Sequence, residues 1–170
     1  MSTREHKAEA PQSVSCMILT VSDTRTKETD KSGALLRTIL QEAGHFITNH
    51  EVVKDEYSEI QSWIRDADHN KAIEALIING GTGITFRDTT YEAVTAMLDK
   101  ELSGFGELFR YLSFEKDIGS AAMLSRATAG VRGQTAVFSI PGSSGAVKLA
   151  AEQLIAPEIN HFMREIYKDQ

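Results

Sequence analysis

The chain has 170 residues, 41% hydrophobic and 25% charged, which suits one globular domain with a sizeable core. Its formal net charge of -6 argues against a nucleic-acid partner, since such proteins carry a basic surface, and no apolar run approaches the ~20 residues of a membrane-spanning helix. The polar start MSTREHKAEAPQ lacks the apolar segment of a secretory signal, so a cytoplasmic protein without a membrane partner is expected, with a flexible tail over residues 1–12 ahead of one domain over 13–170.

Residues 14–21 (VSCMILTV) form a near-continuous, β-prone apolar run, which predicts a parallel strand covered on both faces. The lone Cys16 lies inside it and reads as a small buried hydrophobe; no disulfide partner exists. Residues 22–32 are polar and read as a loop. Residues 33–43 place Leu35, Leu36, Ile39, Leu40 and Ala43 at helical spacing, and Gly44 ends that helix. A second strand follows over 45–53, then a helix over 57–67 built on Ile60, Trp63, Ile64 and Ala67. A third strand spans 75–78. Thr89 or Thr90 caps the next helix, which carries Ala93, Val94, Met97 and Leu98 and runs to about Lys100. Residues 103–120 show no clean period and predict short helical pieces and loops, while 121–129 read as helix. A fourth strand covers 135–140. From Ala146 a long amphipathic helix begins, which Pro157 kinks or restarts.

Strand–helix alternation of this kind predicts a three-layer α/β fold, a mostly parallel sheet with helices on both faces. In such sheets ligands bind beyond the carboxyl ends of the strands. Four polar loops fall there: SDTR, VKDE, GGTGITFRD and PGSSG.

Within GGTGITFRD, glycines 80, 81 and 83 let the backbone approach a ligand closely, and amides at a helix start favour phosphate. Thr82 and Thr85 add hydroxyl donors. A carboxylate beside a phosphate is repulsive, so Asp88 fits either a divalent cation held between the two or the cap of the following helix. Arg87 either clamps phosphate or pairs with a surface carboxylate. The loop has neither the Gly-Lys-Ser/Thr end of a P-loop nor the spacing G-x-G-x-x-G, which disfavours a P-loop ATPase and an NAD enzyme.

Asp55 and Glu56 end the second strand and read as solvated or as site carboxylates. Asp23, Thr24 and Arg25 read as turn residues or site residues. Ser143 and Ser144 read as the cap of the last helix or as an anion cup. The histidines at 6, 45, 50, 69 and 161 show no zinc-ligand spacing, and no G-x-S-x-G elbow supports a serine hydrolase.

GGTGITFRDTTYEAV resembles the GGTG-x-x-x-RD-x-T-x-EA signature of the MoaB/MogA family of molybdenum cofactor biosynthesis. The order SDTR, YSEI, GGTG, FGELFR, LSRATAG and PGSSGAVKLA is similar to its MoaB branch. The match runs from about Val14 to the end. The resemblance implies binding of molybdopterin, a pterin with a dithiolene and a terminal phosphate. It also implies, in the adenylyltransferase members, transfer of AMP from MgATP to that phosphate, by subunits assembled as homotrimers or homohexamers.

Carried over by motif, Asp55 and Asp88 would serve catalysis and hold Mg²⁺. Gly80, Gly81, Thr82 and Gly83 would cradle phosphate. Asp23, Thr24, Pro141, Gly142 and Ser143 would line nucleotide or pterin, and Ser125 and Arg126 would touch the pterin or its phosphate. Glu107 and Arg110 in FGELFR would belong instead to a subunit contact. The adenylyltransferases commonly read R-D-x-T-P-E-A where this chain has Tyr91 in place of proline. A protein that holds molybdopterin or a precursor without transfer is therefore the alternative.

Overall fold

A computed structural model describes residues 10–169. Of the tail expected over 1–12, residues 1–9 lie outside the described residues. Pro11 is already held, its carbonyl accepting a hydrogen bond from Asn160 Nδ2.

Six strands form one sheet in the order β2-β1-β3-β6-β5-β4. Strands β1 (Ser15–Val21), β2 (Phe46–Val53), β3 (Ala75–Asn79) and β6 (Thr135–Ile140) run parallel; β5 (Thr128–Arg132) and β4 (Lys100–Glu101) extend the sheet antiparallel. β1 and β3 are buried almost throughout, as an apolar run without alternation requires when helices cover both faces. Helices α1 (Lys31–Glu42), α4 (Ser103–Ser113), α5 (Ser144–Ala150) and α6 (Ala156–Tyr167) pack on one face. Their core includes Ile18, Leu36, Ile77, Phe109, Phe138 and Ile159, with Phe138 edge-on to Phe105 and Phe162 at ring separations of 5.4 and 5.6 Å. Helices α2 (Tyr57–His69) and α3 (Thr90–Thr95) cover the other face over Leu19, Ile60, Ile64, Ile78, Val94 and Val137. The result is three layers, as expected.

The differences from the sequence reading have local causes. α1 starts two residues early because buried Asp30 caps it, accepting from Gly33 N at 2.9 Å. α3 stops at Thr95 rather than near Lys100, because the chain beyond it joins the sheet edge: Asp99 N donates to Val131 O and Leu102 N to Ala129 O. Residues 103–113 form one regular helix, not pieces. It continues into a π turn (Phe114–Ile118) and a 3₁₀ segment (Gly119–Leu124). The helix expected over 121–129 is largely absent; β5 begins at Thr128 and pairs back on β6 through a turn at Gly133. The break between α5 and α6 is a π turn at Ala151–Ile155, with Pro157 in the first turn of α6.

All four parallel strands deliver their carboxyl ends to one edge. The order reverses between β1 and β3, and there the loops after β1, β3 and β6 converge. No helix among the described residues is long and apolar enough to cross a membrane.

Candidate functional site

The GGTG loop leaves β3 at Gly80, whose amide donates to Ile140 O at 2.9 Å. Gly80 and Gly81 have φ of 120° and 66°, in the region that favours glycine. A Cβ on Gly80 would collide with the Val21 carbonyl, and one on Gly81 with Thr90 Oγ1 and Asp55 Oδ2. The loop therefore lies flat on the end of β1 and over Asp55. The amides of Gly81, Thr82 and Gly83 donate to no described residue. Against the loop stands PGSS, where a Cβ on Gly142 would lie 3.2 Å from Gly80 Cα. Ser143 caps α5, its Oγ accepting from Ala146 N at 3.2 Å.

Between these loops opens a cleft of about 290 Å³. It gathers seven residues expected at the site: Gly81, Thr82, Gly83, Ser125, Pro141, Gly142 and Ser143. Its far wall comes from Phe109, Ser113, Asp117, Ile118 and Ala121, which the sequence reading did not assign. They sit on α4, the π turn and the 3₁₀ segment, and only the chain's path over the sheet brings them there.

The other expected residues stand around the cleft rather than in its lining. Asp55 is buried, and its Oδ1 accepts from Thr89 N (3.1 Å), Thr89 Oγ1 (2.8 Å) and Thr90 Oγ1 (3.3 Å). The start of α3, expected to attract an anion, is thus already occupied by a carboxylate. Asp88 does not cap α3. Its Oδ2 accepts from Thr85 N at 2.9 Å and Thr85 Oγ1 at 2.6 Å, closing the ITFRD turn on itself. Asp23 accepts from Arg87 Nε at 2.8 Å and Nη2 at 2.9 Å, and Arg87 also pairs with Glu56 at 2.8 Å. Arg87 is therefore spent on carboxylates, and its hydrogen bonds hold the Asp23 carboxyl below the ordinary aspartate range. Thr24 is exposed beside it, with its amide on Ser22 Oγ.

Arg126 binds the loop from behind. Its Nε and Nη2 donate to Gly83 O at 3.0 and 2.6 Å, its Nη1 pairs with Glu92, and its guanidinium lies 4.9 Å from the Tyr91 ring centroid. The Arg126 amide donates to Thr82 O at 3.1 Å. This bonding lowers the Glu92 carboxyl below its usual range. Arg25, read as a turn or a site residue, links loops: its Nη1 donates to Ser32 Oγ at 2.6 Å and to Gly142 O at 3.0 Å. Beneath it Asp30 accepts from Thr20 Oγ1 at 2.5 Å and lies 2.9 Å from His50 Nε2. Burial alone would raise the Asp30 pKa, but these hydrogen bonds outweigh it and lower it.

Of the two aspartates expected to hold a divalent cation, Asp55 keeps Oδ2 and Asp88 keeps Oδ1 without a hydrogen bond from a described residue. Hard carboxylate oxygens suit Mg²⁺. No group of three His, Cys, Asp or Glu among the described residues is placed to hold a metal, so a cation here would complete its shell with ligand phosphate and water.

A family model described as a probable molybdopterin binding domain matches residues 17–161. The chain is 61% identical over 170 residues to molybdenum cofactor biosynthesis protein B of Halalkalibacterium halodurans, and 58% identical over 170 residues to that of Bacillus subtilis, with all of each chain covered. A crystal structure of a molybdenum cofactor biosynthesis protein B superposes with TM-score 0.91 at 55% identity, covering 94% of this chain and 99% of that one. The tungsten cofactor synthesizing protein MoaB from Pyrococcus furiosus superposes with TM-score 0.81 at 38% identity, covering 92% and 99%. By its matched domain, its near-complete overlap with these relatives and its fold, the chain belongs to the MoaB/MogA family, on the MoaB branch.

Proposed function

We propose that the chain serves molybdenum cofactor biosynthesis in the cytoplasm, binding molybdopterin and transferring AMP to its terminal phosphate from MgATP. The observation that carries this reading is the cleft between GGTG and PGSS, where the amides of Gly81, Thr82 and Gly83 are free to meet phosphate oxygens. In the reaction an oxygen of the molybdopterin phosphate attacks the α-phosphorus of ATP. The new O–Pα bond forms, the Pα–O bond to the β-phosphate breaks, and pyrophosphate leaves. No protein nucleophile is needed, so the chain contributes positioning and charge neutralisation. Gly81–Gly83 orient the phosphates, and Ser143 lines the nucleotide or the pterin. Arg126 and Arg25 hold the two loops at their carbonyls, on Gly83 and Gly142. Asp55 and Asp88 would hold Mg²⁺, which neutralises phosphate charge when bound.

Tyr91, seated under Arg126 where the adenylyltransferases carry proline, favours a second reading: the same site holds molybdopterin without transfer. Purified protein incubated with molybdopterin, ATP and Mg²⁺ decides between them. Adenylylated molybdopterin and pyrophosphate, formed by the wild type and not by Asp88→Asn, support transfer. Bound molybdopterin with no product supports the second reading, and absence of both overturns the proposal.

Self-association belongs to the same proposal. Leu108, Tyr111, Phe114, Ile118 and Met123 are exposed along α4 and the segments after it, and assembly into trimers or hexamers would cover apolar surface of this kind. Sedimentation equilibrium showing only monomer would overturn it.

A further inference from the structure

Among the thirteen residues lining the cleft, Asp117 alone carries a charge. It accepts no hydrogen bond and forms no ion pair with any described residue, unlike Asp23, Asp30, Asp55 and Asp88. Its carboxylate oxygens lie 3.2 and 3.3 Å from the Cβ position of Gly145, just beyond PGSS. The π turn that carries it (Phe114–Ile118) ends at Gly119, with φ of 60°. π turns of this kind occur often at functional sites.

An anion alone would be repelled at that end of the cleft. The amides of Gly81, Thr82 and Gly83, which donate to no described residue, suit phosphate, whereas a lone carboxylate suits adjacent N–H donors. Phe109, Ile118, Ala121 and Ala146 give the cleft apolar walls suited to a flat ring. A matching ligand has an anionic end and a planar end carrying two neighbouring N–H groups. The 2-amino-4-oxopyrimidine edge, shared by pterins and guanine, presents such a pair at N3 and the 2-amino group of a pterin. Adenine presents a ring nitrogen acceptor beside its amino group, and a carboxylate disfavours that.

We propose that Asp117 is a specificity-determining residue that accepts hydrogen bonds from the N3–H and 2-amino groups of the pterin in this cleft. This rests on the molybdopterin reading above and assigns the pterin end of the site to the PGSS side.

The test titrates the protein with the fluorescent 6-hydroxymethylpterin monophosphate, its 2,4-dioxo counterpart, GMP and AMP. The wild type is expected to prefer the pterin to the dioxo compound by about ten- to a hundred-fold, the value of a charge-assisted pair. Asp117→Asn should lose that preference while binding inorganic phosphate as well as or better than the wild type. A collapsed cleft would weaken both ligands, so the phosphate arm separates recognition from damage. If the wild type binds the pterin and Asp117→Asn keeps the full preference, Asp117 has no such role although the molybdopterin reading stands. If the wild type binds no pterin phosphate, both fall. GMP bound tightly in place of the pterin overturns the pterin assignment.

Discussion

Asp55 Oδ1 lies 2.8 Å from Thr89 Oγ1 and 3.1 Å from Thr89 N, so a buried carboxylate at the end of β2 stands on the start of α3. The same side chain fills the space under Gly81. Asp55 thus has a structural task as well as its proposed place in the site, whereas the Asp88 carboxylate accepts, among the described residues, only from Thr85 in its own turn. Asp55→Ala should destabilise the fold by about 2–4 kcal/mol, since buried donors lose a charged acceptor. Asp88→Asn should stay within about 1 kcal/mol of the wild type in urea denaturation. Both should abolish adenylyl transfer. Equal stability losses would contradict this division of roles.

Arg126 holds Gly83 O with two nitrogens, Nε at 3.0 Å and Nη2 at 2.6 Å, while stacking on Tyr91. A lysine has one compact cation and cannot reproduce that fork. Arg126→Lys should weaken AMP binding roughly tenfold, because the loop amides lose their fixed geometry. Tyr91→Ala should be milder, about 0.5–1 kcal/mol, as expected for an exposed cation–π pair. A double-mutant cycle measured by calorimetry should show that the two effects are coupled.

Acid sensitivity should have a histidine component. His45 is buried and its Nδ1 accepts from Val14 N at 3.2 Å, so the fold holds the ring neutral. Burial lowers its pKa below the usual 6.5. The unfolded chain then binds the proton more readily, so this contribution is complete above pH ~6.5 and is lost as pH falls through the lowered value. Urea midpoints measured from about pH 8 to pH 5 should fall, and His45→Gln should flatten that slope. The Asp30 carboxyl, also lowered, adds its own loss only below the ordinary aspartate value of 3.8.

Cys16 should be silent to thiol reagents in the native protein. Burial pushes its pKa up to about 12, and the thiolate is the reactive form. Its Sγ–H is directed to Val14 O at 3.6 Å. Modification should appear only in denaturant, with a rate that tracks global unfolding. Rapid labelling without denaturant would show that β1 opens locally.

The sequence by itself determined the strands that build the parallel sheet and the loops at their carboxyl ends. Its signals there are local: an apolar run such as ALII, followed by Asn79 and the glycines from Gly80, encodes a buried strand and a close-approach turn within a few residues. It also placed most of the GGTG–PGSS cleft, because loops after parallel strands of one sheet must share an edge. It did not reveal β4 and β5, since Lys100–Glu101 is exposed and two residues long and TAGVR has no strong apolar pattern; their pairing with β6 forms only in three dimensions. Nor did it assign partners. Arg87 could have met phosphate or carboxylate by spacing alone, and the fold set it on Asp23 and Glu56. Arg25 on Gly142 spans 117 positions and Arg126 on Gly83 spans 43, and Asp117 reaches the cleft only because α4 packs across the sheet. Short-range periodicity encodes which segment is buried. Which charged group faces which is decided by loop closure between distant segments, and that is a property of the tertiary structure.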